Sequence, residues 1–157
     1  MDQRRGEGAT EADVELAAGL CLALDAAVLS GFDSFRALVV LPFHLRVATH
    51  RRTCNTEEEL RHAVVPYLQD LQDGSVLSLH RNIGSVSRDD EGRIVVDTRI
   101  LADGRASTHS PVRLGTSPVP CRLVLDETPG GWKIRQLESE GNLDDDRSNR
   151  LIGVDLL

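Results

Sequence analysis

The sequence predicts an α+β domain, with three helices in its first half packed on a curved antiparallel or mixed sheet formed mainly by its second half. Three observations carry that prediction. Apolar residues recur at helical spacing, behind capping signals, up to Gly74. Beyond Gly74 they alternate with polar residues in short runs separated by turn residues. The length, 157 residues, is that of one domain, enough to bury roughly two-thirds of its unfolded surface around a single core.

The first helix runs from Thr10 to Gly31. It opens on the T-x-x-D pair Thr10 and Asp13, carries Leu16, Leu20, Leu24, Ala27 and Val28 along one face, and stops at glycine. A second helix takes Asp33 as its cap and runs through Phe35, Leu38 and Val39. It ends before Pro42, because a residue preceding proline is driven out of the helical region. Phe43 to Thr49 alternates, with Phe43, Leu45 and Val47 on one side and His44, Arg46 and Ala48 on the other, which is a strand. Thr56 and Glu59 form the capping box of a third helix, striped by Leu60, Val64, Tyr67, Leu68 and Leu71 and stopped at Gly74. Pro66 inside it is expected to kink or interrupt it, at a cost of about 3 kcal/mol. The strands that follow are Val76 to Val86, Arg93 to Leu101, a short piece from Ala106 to His109, Cys121 to Glu127, and Trp132 to Glu138. DDEG, ADG, a proline-bearing loop and TPGG separate them, each with residues that favour turns.

Composition bounds the function. With 3% aromatic residues the core must be built from Leu, Val, Ile and Ala. A net charge of −7 argues against nucleic acid as a partner, since phosphate binding needs a basic stripe. From Glu138 to Leu157 six acidic and two basic residues give −4, so over half of the excess lies in the last strand and the tail. The chain thus divides into a flexible N-terminus (1–10), one domain (11–139) and an acidic C-terminal extension (140–157). The mixed charges of the first thirteen residues do not make a signal peptide, and Glu15 and Asp25 interrupt the apolar run that follows. A cytoplasmic protein without a membrane segment is the expectation. Three cysteines, Cys21, Cys54 and Cys121, without C-x-x-C spacing suit a reducing compartment.

One stretch, LPFHLRVATHRRTCNTEEEL, concentrates residues that carry chemistry: His44, His50 and Cys54. On an extended segment the two histidines share a face but lie roughly 20 Å apart, so no metal is expected to join them. Cys54 follows RRT and has His50 nearby, the makings of a nucleophile pair, although an ordinary loop cysteine fits as well. His50 to Cys54 is expected to be a turn.

The order helix, helix, strand, helix, then a run of strands resembles the NTF2-like superfamily, which includes the SnoaL-like polyketide cyclases and ketosteroid isomerases. The resemblance covers residues 11 to about 139 and rests on GFDSFRALVVLPF, NTEEELRHAV and ETPGGWKIRQLES. It implies a cone, with the sheet wrapped around the helices and a pocket open at one end. Alternation groups Cys121, Leu123 and Leu125; Trp132, Ile134 and Gln136; Ile94, Val96, Thr98 and Ile100; and Leu77, Leu79, Arg81 and Ile83, although one β-bulge would reverse the faces beyond it. If those faces point inward, Tyr67, Arg81, Thr98, Trp132 and Gln136, together with Cys21, are the candidate ligand-binding residues. Buried, Arg81 must meet an acid, an anionic ligand or solvent.

Isomerase-like members use a carboxylate base near the first strand. That position falls near Arg46 or Val47, where this sequence has no carboxylate, leaving His44 or His50 as weak catalytic candidates. The outer face carries Val95, Leu101, Val124 and Leu137 among His80, Asp97, Arg99, Arg122 and Arg135, a mix that suits a homodimer through the sheet. The leading expectation is therefore a homodimer binding a small apolar or anionic molecule in the cone, without metal or cofactor. A non-catalytic association module with a filled core, and an isomerase- or cyclase-like enzyme with a histidine base, are the alternatives.

Overall fold

The structure is a computed structural model that describes residues 6, 8–73, 76–104 and 118–140. Helix α1 (Glu11–Ser30) starts on the expected capping box: Thr10 Oγ1 accepts from the Asp13 amide, and Asp13 accepts from the Thr10 amide. It ends at Gly31, whose φ of 135° suits glycine. Val14, Ala17, Cys21, Leu24 and Ala27 form its buried face.

Helix α2 is a short Phe32–Arg36, and strand β1 begins already at Val39 (Val39–Val47), so the second helix does not reach toward Pro42. Two adjacent β-branched residues, Val39 and Val40, favour the extended chain, and the Ile134 amide donates to the Leu38 carbonyl at 2.8 Å. A second correction follows at once. His50–Cys54 is not a turn but strand β2, folded back on β1 with Phe43 opposite Cys54, Leu45 opposite Arg52 and Val47 opposite His50. The turn is Ala48 and Thr49, with Ala48 at φ 53° and its amide donating to the Ser139 carbonyl at 2.8 Å.

Helix α3 (Glu57–Asp73) runs unbroken through Pro66. Pro66 is on the exposed side, whereas Ala63, Val64, Tyr67 and Leu68 are buried, so packing of that face outweighs the one hydrogen bond lost at the His62 carbonyl. The remaining strands are β3 (Val76–Arg88), β4 (Ile94–Gly104), β5 (Val119–Thr128) and β6 (Gly131–Ser139). The expected piece from Ala106 to His109 and the acidic extension beyond Glu140 lie outside the described residues.

All six strands form one curved, unclosed sheet in the order β2-β1-β6-β5-β4-β3, parallel between β1 and β6 and antiparallel elsewhere. Its inner face packs on the helices through Phe43, Ile94, Val96, Leu123, Leu125 and Ile134, all fully buried, with Phe35 set edge-on to Phe43 at 6.0 Å. Two bulges reset the faces. In β3 the ladder shifts between Ile83 and Ser85, which turns Val86 inward. In β6 Leu125 pairs with Ile134 but Val124 pairs with Gln136, so Arg135 is the extra residue and every position after it changes face. No helix among the described residues is long and apolar enough to cross a membrane.

Candidate functional site

Helices α1 and α3 do not fill the inner face of the sheet completely. A cavity of about 100 Å³ remains between them, walled by Leu24, Val28, Phe35, Val64, Val47 and Leu137, with Tyr67, Arg81 and Ser139 as its polar groups. Among the described residues, no carboxylate and no histidine lines it.

Arg81, on β3, is the buried charge of this wall. Its side chain is only 5% exposed, and it meets an acid of its own chain: Nη2 donates to Asp25 Oδ1 at 2.8 Å and Nε donates to both Asp25 oxygens at 3.2 Å. Nη1 donates to Thr98 Oγ1 at 2.8 Å, and the Thr98 hydroxyl donates onward to the Cys121 carbonyl at 2.8 Å. Burial works against the guanidinium charge, but the bonded Asp25 carboxylate favours it, and the proton is held more firmly than in water. The pair is close to neutral as a unit, so the cavity it borders is apolar and nearly uncharged.

The three thiols are structural. Burial pushes the Cys21 thiol up to about 11 and raises Cys54 and Cys121 as well. Cys54 is 1% exposed and faces the core opposite Phe43, so at neutral pH it is a protonated thiol without access to solvent, not a nucleophile.

The other sequence candidates separate. Tyr67 and Arg81 reach the cavity; Thr98 stands behind Arg81 and positions it. Trp132 faces inward but lies near the β5/β6 turn, about 17 Å along β6 from Leu137, under the Arg88 guanidinium at 5.1 Å. Gln136 is on the outer face, where it donates to Glu138 at 2.7 Å, because the bulge at Arg135 exchanges its place with that of Leu137. The same exchange takes Leu137 out of the expected outer patch. His44 points outward and shares a hydrogen bond with Thr53 at 3.1 Å. His50 is on the opposite, inner side, because β2 folds back; the two histidines sit about 10 Å apart along the hairpin rather than on one face. Near the expected base position, Arg46 turns outward to Glu138 at 2.8 Å and Val47 contributes only an apolar wall.

Sequence reasoning missed Asp25, Ser139 and Leu137. Asp25 was legible in principle, four residues after Cys21 and next to Leu24 on the apolar face of α1. Ser139 and Leu137 depend on a bulge that leaves no mark in the residue pattern.

Neither a family profile nor a curated protein matches the sequence. Solved structures do match its shape. A domain of unknown function with a cystatin-like fold from Nostoc punctiforme PCC 73102 superposes with a TM-score of 0.64 at 14% identity, over 88% of this chain and 83% of that one. A candidate dehydratase of the NTF2-like family from Streptomyces avermitilis gives 0.59 at 16% identity, over 83% and 97%. The chain has the NTF2-like fold. A candidate ketosteroid isomerase from Shewanella frigidimarina NCIMB 400 shares that fold at a TM-score of 0.54 and 17% identity, over 78% and 93%. At such identities the NTF2-like fold is what is shared, and function must be argued from the residues of the cone.

Proposed function

We propose that this NTF2-like domain binds a small lipophilic molecule in the inner cavity of the cone and does not act by proton shuttling. The observation that carries the reading is the cavity itself, about 100 Å³ with mostly aliphatic walls and three polar groups at its edge. That volume corresponds to roughly three waters, so the occupant is far smaller than a steroid unless side chains move. The absence of a carboxylate or histidine from the described residues of the lining argues against a general base there. A thermal-shift titration with small neutral ring compounds such as cyclohexanone and cyclohexanol tests it. A ligand at a hundred times its Kd adds about 2.7 kcal/mol, or roughly 5–10 °C for a domain of this size. Leu137→Trp, which fills the cavity, should abolish the response. No shift with any small apolar compound overturns the reading.

One observation favours a second reading, a non-catalytic association module: Arg81 is already satisfied within the chain and needs no ligand. In either case we propose a homodimer through the outer sheet face, where Val95 and Val124 lie side by side next to the Arg122–Asp97 pair at 2.7 Å. A solution mass of 17.2 kDa at micromolar concentration overturns the dimer.

A further inference from the structure

The inner face of the sheet does not end at the cavity. It continues onto the β1/β2 hairpin, where the register sets His50 beside Val47 and Arg52 beside Leu45, on the side that faces the helices. Cys54, next on that side, is sealed at 1% exposure, whereas His50 and Arg52 are exposed. Across from them α3 presents His62, one turn before Pro66 and Tyr67. The three elements of this corner, β1, β2 and α3, border a second cavity of about 190 Å³, lined by His50, Arg51, Arg52, His62 and Tyr67, with Leu45 and Val47 at its floor. Leu45, Val47 and Tyr67 also wall the inner cavity, so the two spaces adjoin across these three side chains.

We infer that this rim is an anion site and that the ligand is amphiphilic, with its apolar part in the inner cavity and a carboxylate or phosphate-monoester head held by His50, Arg52 and His62. The inference rests on the proposed reading of the inner cavity as a ligand site and adds the class of the ligand.

Charge supports it. In a chain of net charge −7, the described residues that line this cavity include two arginines and two histidines and no carboxylate. Among the described residues, none of His50, Arg52 and His62 forms an ion pair. Two of the three acids at the start of α3 are engaged elsewhere, Glu59 accepting from the Thr56 and Asn55 amides and Glu57 pairing with Arg36 at 3.0 Å, and the third, Glu58, is exposed and does not line the cavity. Side chains that serve only solubility sit best on the outer face of a hairpin; these two are turned toward the helix instead. Guanidinium and imidazole N–H groups converging on one small space match the acceptors of a carboxylate or phosphate. Arg81 does not compete for that head, because Asp25 already neutralises it.

Isothermal titration calorimetry with three probes of one chain length, 1-hexanol, hexanoate and hexyl phosphate, tests the inference, with acetate and inorganic phosphate as heads without a tail. Hexanoate or hexyl phosphate should bind at least about tenfold more tightly than hexanol, and whichever binds better identifies the head. Arg52→Ala and His62→Ala should each remove most of that preference while leaving hexanol affinity unchanged, and Arg52→Lys should restore part of it. Arg99→Ala, an exposed arginine of the outer face, controls for general charge and should have no effect. Circular dichroism melting checks that every variant is folded. Equal affinity for hexanol and both anions overturns the anion site and leaves the cavity reading standing. Binding of acetate or phosphate, lost in Arg52→Ala, with no binding of hexanol, overturns the cavity reading and leaves the anion site. No binding of any probe overturns both.

Discussion

Arg81 and Arg52 point to the same side of one sheet from its opposite edge strands, β3 and β2, and their surroundings differ in every respect. Arg81 is buried and bonded to Asp25 and Thr98; Arg52 is exposed and has no acid beside it among the described residues. A guanidinium taken out of water without a partner costs several kcal/mol, so the chain itself supplies one wherever the helices close over the sheet. Where α3 leaves the hairpin uncovered, water meets that need, and the charge stays available to a ligand.

The largest expected effect comes from breaking the closed end. Asp25→Ala leaves Arg81 buried beside no anion and should cost about 3–5 kcal/mol in urea unfolding. The double variant Asp25→Leu with Arg81→Met should recover most of that loss, because it removes both charges at similar volume. A single-variant loss below about 1 kcal/mol would mean that Arg81 escapes to solvent and the two ends of the sheet are not different in kind.

Asp13 with Arg88 is the intermediate case: the carboxylate is buried, but the arginine is about one-third exposed, and the pair is bonded at 2.8 Å. The Arg88 hydrogen bond, aided by the Thr10 cap and opposed by burial, holds the Asp13 carboxyl below its ordinary range. A depressed folded value means that the stabilisation is complete above the unfolded pKa, about 3.9, and is lost as the pH falls through the folded one. Asp13→Asn should therefore cost about 2 kcal/mol at pH 7, and the gap from the unaltered protein should shrink as the pH falls below about 4. A gap that does not vary with pH would assign the loss to the helix cap rather than to the ion pair.

Much of this contrast is legible in the residues, and what is not has physical causes. The T-x-x-D and T-x-x-E caps mark the starts of α1 and α3 directly, because a cap is a local bond between residues three apart. The inward faces of β4 and β5 follow from strict alternation that no bulge interrupts before Val124. Gln136 and Leu137 could not be assigned, since the extra residue at Arg135 is set by pairing with a strand nine or more residues away. The hairpin hid for another reason. Ala48 and Thr49 carry none of the glycine or asparagine signals of a two-residue turn, so β2 looked like a loop and the inward placement of His50 and Arg52 was lost with it. Asp25 was visible as a charge on an apolar helix face, but its partner lies fifty-six positions along the chain.

That unsignalled turn makes the next prediction. Ala48 holds a positive φ of 53°, which costs an alanine roughly 1–2 kcal/mol, while the bonds from its amide to Ser139 and from Arg46 Nη1 to its carbonyl at 2.8 Å keep it there. Ala48→Gly relieves the strain but loosens the unfolded chain by about 0.4–1 kcal/mol. The net should be a gain of about 0.5–1 kcal/mol in urea unfolding, and a loss would show that the turn is not strained.

The smallest effect is expected at the open end. Arg52→Ala should change stability by less than about 0.5 kcal/mol, because an exposed side chain without an ion pair contributes little to the folded state and is equally solvated in the unfolded one. Its sign is the informative part. Arg51 and Arg46 are cross-strand partners of like charge, and Arg52 adds a third guanidinium to the same hairpin. Removing it should leave stability unchanged or raise it slightly, more at low salt than at high, since exposed charges lose contact beyond about 10 Å at 0.1 M salt. A loss above about 1.5 kcal/mol, independent of salt, would mean that Arg52 is bonded into the fold as Arg81 is. The contrast between a rim that waits for an anion and a core that has made its own would then collapse.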